Sequence, residues 1–377
     1  MSIIRAYKGA VTHWCKNNGH NYFGWQRNYY EHIVRNEDEL NQIRKYIAEN
    51  PLKWERDEEN PINIKSTTKR QRKAKMEQEA QTQENFRSGF ITIIGRPNVG
   101  KSTLLNVIVG EKIAAVSEKP STTRNRILGI KTLPGAQLIF LDTPGIHKAK
   151  DELGKVMVQT AISAIWEADI ILMMIEVDEP FGKGDCFIID SLPKPAILVI
   201  NKIDSVKKSE ILDIIAESQK FEGKFLEVIP ISALKSDGID DLINTIIKYL
   251  PVGPKYFPDD MITNQPERFL TAELIREKIF NLTREEVPYK TAVVVEEFQD
   301  MPDKNLVRIS AVIYVERDSH KGIIIGEAGK MLKQVGSLAR VEIERILGTK
   351  VYLELWVKVK KGWTERTSLI REFGYGS

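Results

Sequence analysis

Residues 90–102 read FITIIGRPNVGKS, an apolar run that leads directly into a glycine-containing loop. Gly95, Gly100, Lys101 and Ser102 occupy the fixed positions of a G-x-x-x-x-G-K-S pattern, and helical spacing follows. Glycines let backbone N–H groups wrap around phosphates, and the N-terminus of the next helix adds its positive dipole. A strand, this loop and a helix in that order predict a nucleotide-phosphate site.

Two side chains of this loop have further predicted roles. Lys101 should reach the β- and γ-phosphates, and the Ser102 hydroxyl should bind Mg²⁺. Asp142-Thr143-Pro144-Gly145 follows the apolar run LIFL. There a carboxylate can hold the magnesium shell, and the Gly145 N–H can sense a γ-phosphate.

Further motifs at strand ends point to the base. Asn201-Lys202-Ile203-Asp204 follows the run AILVI, and Ser232-Ala233 follows EVIP. The Asp204 carboxylate can accept two hydrogen bonds from the N1–H and 2-amino groups of guanine, which adenine cannot offer, while Ser232 and Ala233 close over the base. These motifs in this order predict a site for GTP.

A candidate switch segment, Pro120-Ser121-Thr122-Thr123-Arg124, lies between the phosphate loop and Asp142. A switch loop needs a threonine that meets magnesium and the γ-phosphate. We prefer Thr123, with Thr122 as the alternative, because spacing alone does not separate neighbours. Ile146 stands where many GTPases carry a glutamine that orients the attacking water, so slow intrinsic turnover is expected.

The predicted nucleotide site has overlapping sets of residues. Catalytic roles fall to Lys101, Thr123 and Gly145, and the Mg²⁺ ligands are Ser102, Thr123 and Asp142. The predicted GTP-binding residues are Gly95, Asn98, Val99, Gly100, Lys101, Ser102, Thr103, Asp142, Thr143, Pro144, Gly145, Asn201, Lys202, Asp204, Ser232 and Ala233.

Composition and patterning favour a folded, multidomain protein. The chain has 377 residues, of which 42% are hydrophobic and 28% charged, which excludes a disordered chain or a rod. Over 89–255, β-rich runs such as Phe90–Ile94 alternate with helical patterns such as Leu153–Glu167. This predicts an α/β P-loop GTPase domain, with a parallel-rich sheet and helices on both faces. Cys15 and Cys186 lie far apart, so neither a disulfide framework nor a zinc site is supported.

These motifs resemble the Era family of bacterial GTPases over about residues 86–377. The resemblance implies a cytoplasmic, GTP-switched factor that binds GTP and GDP, binds small-subunit ribosomal RNA near its 3′ end, and assists assembly of the 30S subunit. It implies no obligate protein partner. In related GTPases a phosphate-loop asparagine helps to hold K⁺, and Asn98 occupies that position, with a turn-forming role as the alternative. Peripheral association with the inner face of the cell membrane also belongs to the family, although no strongly amphipathic basic helix identifies it here.

A second motif lies in the C-terminal part, where Gly326-Glu327-Ala328-Gly329 forms a G-x-x-G loop. Over 259–377 the predicted order is helix, strand, strand, helix, loop, helix and strand, which resembles an α+β type II KH domain. Such a loop lets a nucleic-acid backbone approach closely, and an adjacent apolar groove accepts unstacked bases. The predicted RNA-binding residues are Lys321, Ile325, Gly326, Glu327, Ala328, Gly329, Lys330 and Lys333.

Two features qualify the predicted RNA surface. Glu327 departs from the many KH loops that carry a basic residue between the glycines, so the nearby lysines must attract the phosphates. Arg340 and the run 350–361, with Trp356 and Trp363, extend a basic and aromatic surface, or the tryptophans simply pack in the sheet.

The N-terminal part has a different composition. Residues 61–88 hold few large apolar side chains and a basic run from Lys65 to Lys75, which predicts a basic disordered linker, with nucleic-acid contact as the alternative. Residues 1–60 are predicted as a helical extension. Residues 20–60 resemble the C-terminal part of REP-associated tyrosine transposases, with Tyr46 near the place of their nucleophile. The chain has no His-x-His pair of the kind that holds their metal, which disfavours DNA nicking. Met76 is the expected natural start of an Era-type chain.

Three functions therefore compete on the sequence. The favoured one is a GTP-hydrolysing switch that controls RNA capture. The second is an RNA-binding chaperone for which GTP is only a structural ligand, and single-turnover hydrolysis separates the two. The third is a fused transposase remnant that nicks DNA.

Overall fold

The computed structural model describes residues 85–149, 151–301, 303 and 305–376. The predicted extension over 1–60 and most of the predicted linker lie outside these residues. The first strand begins at Arg87, slightly before the predicted domain start at residue 89, because Ser88 is buried and its N–H donates to the Pro251 carbonyl at 3.1 Å. Within the described ranges, no helix has the length and apolar character that crossing a bilayer requires.

The first domain alternates strands and helices. Its strands are β1 (Arg87–Ile94), β2 (Ile127–Leu133), β3 (Ala136–Asp142), β4 (Ile170–Glu176), β5 (Ala196–Asn201) and β6 (Phe225–Pro230). Its helices are α1 (Lys101–Val109), α2 (Glu152–Glu167), α3 (Lys183–Asp190), α4 (Lys208–Ser218) and α5 (Ile239–Tyr249). The strands form one sheet in the order β2-β3-β1-β4-β5-β6, in which only the β2–β3 pair is antiparallel.

Continuous apolar runs explain why the parallel strands lie inside the domain. Every residue of β3 and β5 is buried, as expected for strands that are covered on both faces. Helices α1 and α5 pack on one face, and α2, α3 and α4 pack on the other. The predicted α/β class, with a parallel-rich sheet covered on both faces, is confirmed.

Two elements of this domain were not among the predicted ones. Strand β2 forms a hairpin with β3 around Pro134-Gly135, a dipeptide that marks turns between apolar runs and could have revealed the strand. Helix α3 is short, and its buried apolar contacts come from Ile188 and Ile189. So brief an apolar pattern is weak evidence for a helix.

The second domain has its own three-stranded sheet. Its elements are α6 (Glu267–Leu282), β7 (Thr291–Met301), β8 (Leu306–Val315), α7 (Asp318–Ile325), α8 (Lys330–Leu347), β9 (Lys350–Val359) and α9 (Thr367–Glu372). β8 pairs antiparallel with β7 and parallel with β9, and α6, α7 and α8 supply residues to one core. The element order up to β9 is the one predicted for a type II KH domain.

A separate apolar cluster joins the two domains. Leu153 and Met157 of α2 pack with Trp363, Phe373 and Tyr375, which follow β9. Trp363 is fully buried, and its indole N–H donates to the Lys290 carbonyl at 3.1 Å. Helix α2, which follows the Asp142 motif, therefore shares a core with the C-terminal end of the second domain.

Burial in the central sheet predicts the effect of a core truncation. Leu198→Ala in β5 should lower the free energy of unfolding by about 2–5 kcal/mol, because Leu198 is fully buried and a cavity would remain. Urea denaturation followed by circular dichroism measures this change. Leu212→Ala is the matched control, since that leucine is 66% exposed on α4. Equal losses in the two variants would contradict the assigned core.

Candidate functional site

The phosphate loop connects β1 to α1, and its carbonyls accept hydrogen bonds from the side chain of Lys101. Gly95 and Gly100 have positive φ, 151° and 103°, and Gly100 caps α1. The Lys101 ammonium donates to the Gly95 and Arg96 carbonyls at 3.1 and 2.8 Å. Burial lowers the pKa of Lys101 to about 8, partly opposed by Asp142. A buried ammonium beside a helix N-terminus is suited to an anion, and the phosphates of a nucleotide meet that requirement.

A hydroxyl pair and a carboxylate lie together beside this loop. The Ser102 hydroxyl donates to Asp142 Oδ2 at 2.6 Å and lies 2.8 Å from the Thr123 hydroxyl. Asp142 is fully buried, and among the described atoms its Oδ1 has no hydrogen-bond partner. Burial raises the pKa of Asp142 to about 6, although Ser102 and Lys101 favour the charged form.

This arrangement fits a magnesium ion. Mg²⁺ prefers oxygen ligands, and it is usually held by one or two protein groups together with substrate phosphates. The unpartnered Asp142 oxygen and the two hydroxyls supply such ligands. Among the described residues, no group of three or more His, Cys, Asp or Glu offers an alternative metal site.

The two candidate switch threonines have different surroundings. Thr123 contacts Ser102, whereas the Thr122 hydroxyl donates to the Lys119 carbonyl at 2.9 Å. Both residues are buried. The position of Thr123 is therefore the one suited to a magnesium ligand.

The Asp142 motif packs directly against the phosphate loop. The Thr143 hydroxyl donates to the Ile93 carbonyl at 3.0 Å, and Pro144 is buried. A Cβ at Gly145 would lie only 2.7 Å from the Pro97 nitrogen, so the close approach of the two segments requires glycine. Ile146 is buried in the cluster under α2, where its side chain cannot hydrogen-bond to a water.

The base-recognition motifs meet at the ends of β5 and β6. The Asn201 amide donates to the Val99 carbonyl at 2.7 Å and accepts from the Ala233 N–H at 2.9 Å. Asp204 is exposed, and its Oδ1 accepts from the Ser232 hydroxyl at 2.5 Å. Asn201 therefore ties the loops together, whereas Asp204 keeps an exposed carboxylate for a base.

The remaining predicted nucleotide residues lie around these groups. Val99 is fully buried, and Thr103 is half-buried in the first turn of α1. Lys202 has a left-handed backbone, with φ 67°, and pairs with Glu176. Asn98 is exposed, and its amide donates to the Glu118 carbonyl, which ties the phosphate loop to the segment before Thr122.

The G-x-x-G loop joins α7 to α8. A Cβ at Gly326 would lie 2.7 Å from that of Met331, whereas a Cβ at Gly329 would meet open space. Glu327 and Lys330 are exposed and lie 3.8 Å apart, while Lys321 and Ile325, both on α7, are half-buried. Ala328 has φ 49°, so the loop turns sharply.

A groove of about 410 Å³ begins beside Gly329 and runs between α8 and β9. Its lining comprises Gly329, Leu332, Lys333, Gly336, Ser337, Arg340, Tyr352, Leu353 and Leu355. Of the predicted RNA residues, the structure places Gly329 and Lys333 on this groove. Apolar residues of β9 were missed, although their alternation in a strand next to the loop was a usable signal.

The two tryptophans of the C-terminal part differ. Trp356 is 60% exposed on β9, whereas Trp363 lies in the core between the domains. Of these two tryptophans, Trp356 is the one that can contribute to an aromatic surface.

The sequence also gave no sign of a polar junction between the domains. Arg124 is buried, and it donates to the carbonyls of Thr291 and Tyr289 at 2.7 and 2.8 Å. From the other side, Arg276 of α6 donates to the Thr122 carbonyl at 2.5 Å. The second domain therefore holds the candidate switch segment.

Comparisons with known proteins match both domains. The model of the 50S ribosome-binding GTPase family matches residues 90–202, and that of the KH domain matches residues 286–364. GTPase Era of Geobacter metallireducens is 56% identical over 293 residues, which cover 77% of this chain and 98% of that protein. GTPase Era of Geotalea uraniireducens is 54% identical over 297 residues, which cover 78% and 99%.

Solved structures agree with these sequence relatives. Era in complex with MgGDPNP and nucleotides 1506–1542 of 16S ribosomal RNA has 47% identity and a TM-score of 0.76, and the match covers 78% of this chain and all of that one. A variant of Aquifex aeolicus Era bound to GDP and AlF₄⁻ has 47% identity and a TM-score of 0.75, with the same coverage.

The exposed carboxylate of Asp204 allows a test of nucleotide specificity. Asp204→Asn should weaken GTP binding about tenfold or more, since charge-assisted hydrogen bonds are lost. The variant should prefer xanthosine triphosphate, whose 2-oxo group accepts from an amide. Calorimetric titration with both nucleotides measures the two Kd values.

Asp213→Asn on α4 is the matched control, because this aspartate is also exposed. An unchanged nucleotide preference in Asp204→Asn would remove Asp204 from base recognition.

Proposed function

This chain belongs to the Era family of GTPases, and we propose that it is a GTP-controlled RNA-binding factor of the small ribosomal subunit. It hydrolyses GTP to GDP and phosphate, and its KH domain captures small-subunit ribosomal RNA near the 3′ end to assist 30S assembly. The observation that carries the proposal is that Lys101, Ser102, Thr123 and Asp142 converge at one edge of the sheet. Helix α6 of the KH domain holds Thr122, the neighbour of Thr123.

The nucleotide site works mainly by position and charge. Bound Mg²⁺ would neutralise charge that develops on the β- and γ-phosphate oxygens. Ser102, Thr123 and Asp142 are the groups that would hold it. The Lys101 ammonium, which rests on two carbonyls of its own loop, would turn toward the phosphates. The Gly145 N–H would detect the γ-phosphate.

Two features of the site set the rate of hydrolysis. The buried Ile146 leaves the attacking water without a side-chain partner at that position, which favours slow intrinsic turnover. A potassium ion on the Asn98 amide oxygen would supply additional positive charge. The support for this role is the place of Asn98 in the phosphate loop and its link to Glu118.

The RNA site combines a tight loop with an apolar groove. The positive φ at Gly326 and Gly329 keeps the loop close to α8, and Leu332, Leu353 and Leu355 line the adjacent groove. Unstacked bases would lie against these apolar side chains, and Lys333 and Arg340 would face the phosphates. We place the protein in the cytoplasm with its ribosomal partner, and at the inner face of the membrane as a peripheral second location, on the strength of the family resemblance.

A charge placed in the G-x-x-G loop tests the RNA site. Gly329→Asp should weaken binding of a 16S ribosomal RNA 3′-end oligonucleotide at least tenfold, because it adds a negative charge where the phosphate backbone must approach. Fluorescence anisotropy with a GTP analogue bound measures the affinity.

Gly223→Asp provides a control of equal backbone strain. Gly223 has φ 73° against 74° at Gly329, and at both positions a Cβ meets open space. Gly223 lies in the GTPase domain, so RNA affinity should stay within about twofold of the parent. Equal loss in both variants would mean that strain, rather than the RNA surface, causes the effect.

The residues that carry this function all lie after residue 85. A chain that begins at Met76 should therefore keep GTP hydrolysis and RNA binding, measured by phosphate release and fluorescence anisotropy. Affinity should be compared at two salt concentrations, because the Lys65–Lys75 run could add a nonspecific, salt-dependent part. Loss of GTP hydrolysis in the shorter chain would contradict the assignment.

A further inference from the structure

The connection that contains the candidate switch segment, residues 111–126, depends on the KH domain for many of its polar contacts. Residues 111–126 join α1 to β2 without forming a helix or strand of their own. One carboxylate oxygen of Glu277 accepts from the Val116 N–H at 3.1 Å, and the other accepts from the Lys112 ammonium at 2.8 Å. Lys119 donates to the carbonyls of Phe280 and Thr283 at the end of α6. A cation is favourable there, since the C-terminus of a helix carries a partial negative charge.

Arg276 contacts the residue that precedes Thr123. Its guanidinium is 1% exposed and pairs through two nitrogens with the Glu273 carboxylate on the same helix. Nη2 also donates to the Thr122 carbonyl at 2.5 Å. The pairing with Glu273 fixes the plane of the guanidinium and so orients its remaining donor toward the Thr122 carbonyl.

Arg124 fixes the other side of the same short segment. Besides its bonds to Thr291 and Tyr289, its guanidinium lies over the rings of Trp363 and Tyr375, at 5.6 and 5.4 Å from their centroids. Thr123 is thus flanked by two residues that the KH domain holds. Its own hydroxyl points back to Ser102 at 2.8 Å.

We propose that Arg276, held by Glu273, is a positioning residue for Thr123. The first helix of the KH domain holds the switch threonine where it can serve the triphosphate site. The inference rests on the proposed GTPase function and deepens it. According to this inference, the switch segment is ordered by the KH domain as well as by the nucleotide.

The proposal separates GTP from GDP. In a GTPase switch, the switch threonine is ordered by the γ-phosphate and its magnesium ion, and it is released after hydrolysis. Loss of the Arg276 contact should therefore disturb the GTP state and spare the GDP state. A residue that merely stabilises the fold would affect both states alike.

The test compares a charge-free variant with a control on the same helix. Glu273→Gln/Arg276→Met removes both buried charges together, so no unpaired carboxylate remains. Arg268→Met carries the same arginine substitution at an exposed position of α6. We expect the double variant to lose about tenfold or more in kcat for GTP, the size of one charge-assisted hydrogen bond, with GDP affinity within about twofold of the parent. Arg268→Met should match the parent.

Amide hydrogen exchange gives a readout that is independent of hydrolysis. With a non-hydrolysable GTP analogue and Mg²⁺ bound, residues 114–126 of the double variant should exchange faster than in the parent. With GDP bound, the two proteins should differ less. Arg276→Lys should restore part of the protection, since one ammonium donor can still face the Thr122 carbonyl.

The outcomes separate this inference from the proposed function. Equal losses of GTP and GDP affinity, or unchanged exchange over 114–126 in the analogue-bound variant, would overturn the positioning role. A parent protein that leaves GTP intact would overturn the proposed function, and the exchange comparison would still decide the role of Arg276.

Discussion

The burial of the Asp142 carboxylate is the constraint on which much of the structure depends. A buried charge is costly unless hydrogen bonds or a cation compensate it. Ser102 satisfies one oxygen from the phosphate loop, and Thr123 approaches Ser102 from the switch segment. The end of β3, the start of α1 and the switch segment therefore meet at one carboxylate. The parallel pairing of β1 with β3 brings these elements together, because both strands end at the same edge.

The switch segment and the Asp142 motif both border the nucleotide site, and both connect it to the KH domain. The switch segment is held through its own Arg124 and by Arg276, and Glu277 holds Lys112 and Val116 before it. The Asp142 motif leads into α2, whose Leu153 and Met157 pack against Trp363 and Phe373. The first junction is polar and buried, and the second is apolar. A rearrangement at the phosphates would have to break charge-assisted hydrogen bonds and an apolar core together, which favours discrete states over gradual change.

The RNA loop has weak electrostatics of its own. Glu327 lies between the glycines, and its pair with Lys330 is largely exposed to water, where such pairs contribute little. Lys333 and Arg340 lie close by on α8, and both are exposed. Leu332, Leu353 and Leu355 line the groove beside them, so base recognition at the proposed RNA site would depend more on shape than on charge.

The sequence by itself determined the features that depend on local spacing. The phosphate loop, the motifs after β3, β5 and β6, and the element order of the KH domain could all be read from short patterns, because each requires particular residues at fixed separations. The edge strand β2 was missed, although Pro134-Gly135 marked its turn.

Only the tertiary structure decided features that depend on distant residues. Thr122 and Thr123 are neighbours with the same chemistry, and only the approach of Ser102 separates them. Trp356 and Trp363 look alike in sequence, yet one lies on the sheet surface and the other between the domains. Arg124 and Arg276 find partners more than 150 positions away, and no local pattern records such a contact. Burial and pairing of this kind come from the packing of two domains, which residue spacing does not specify.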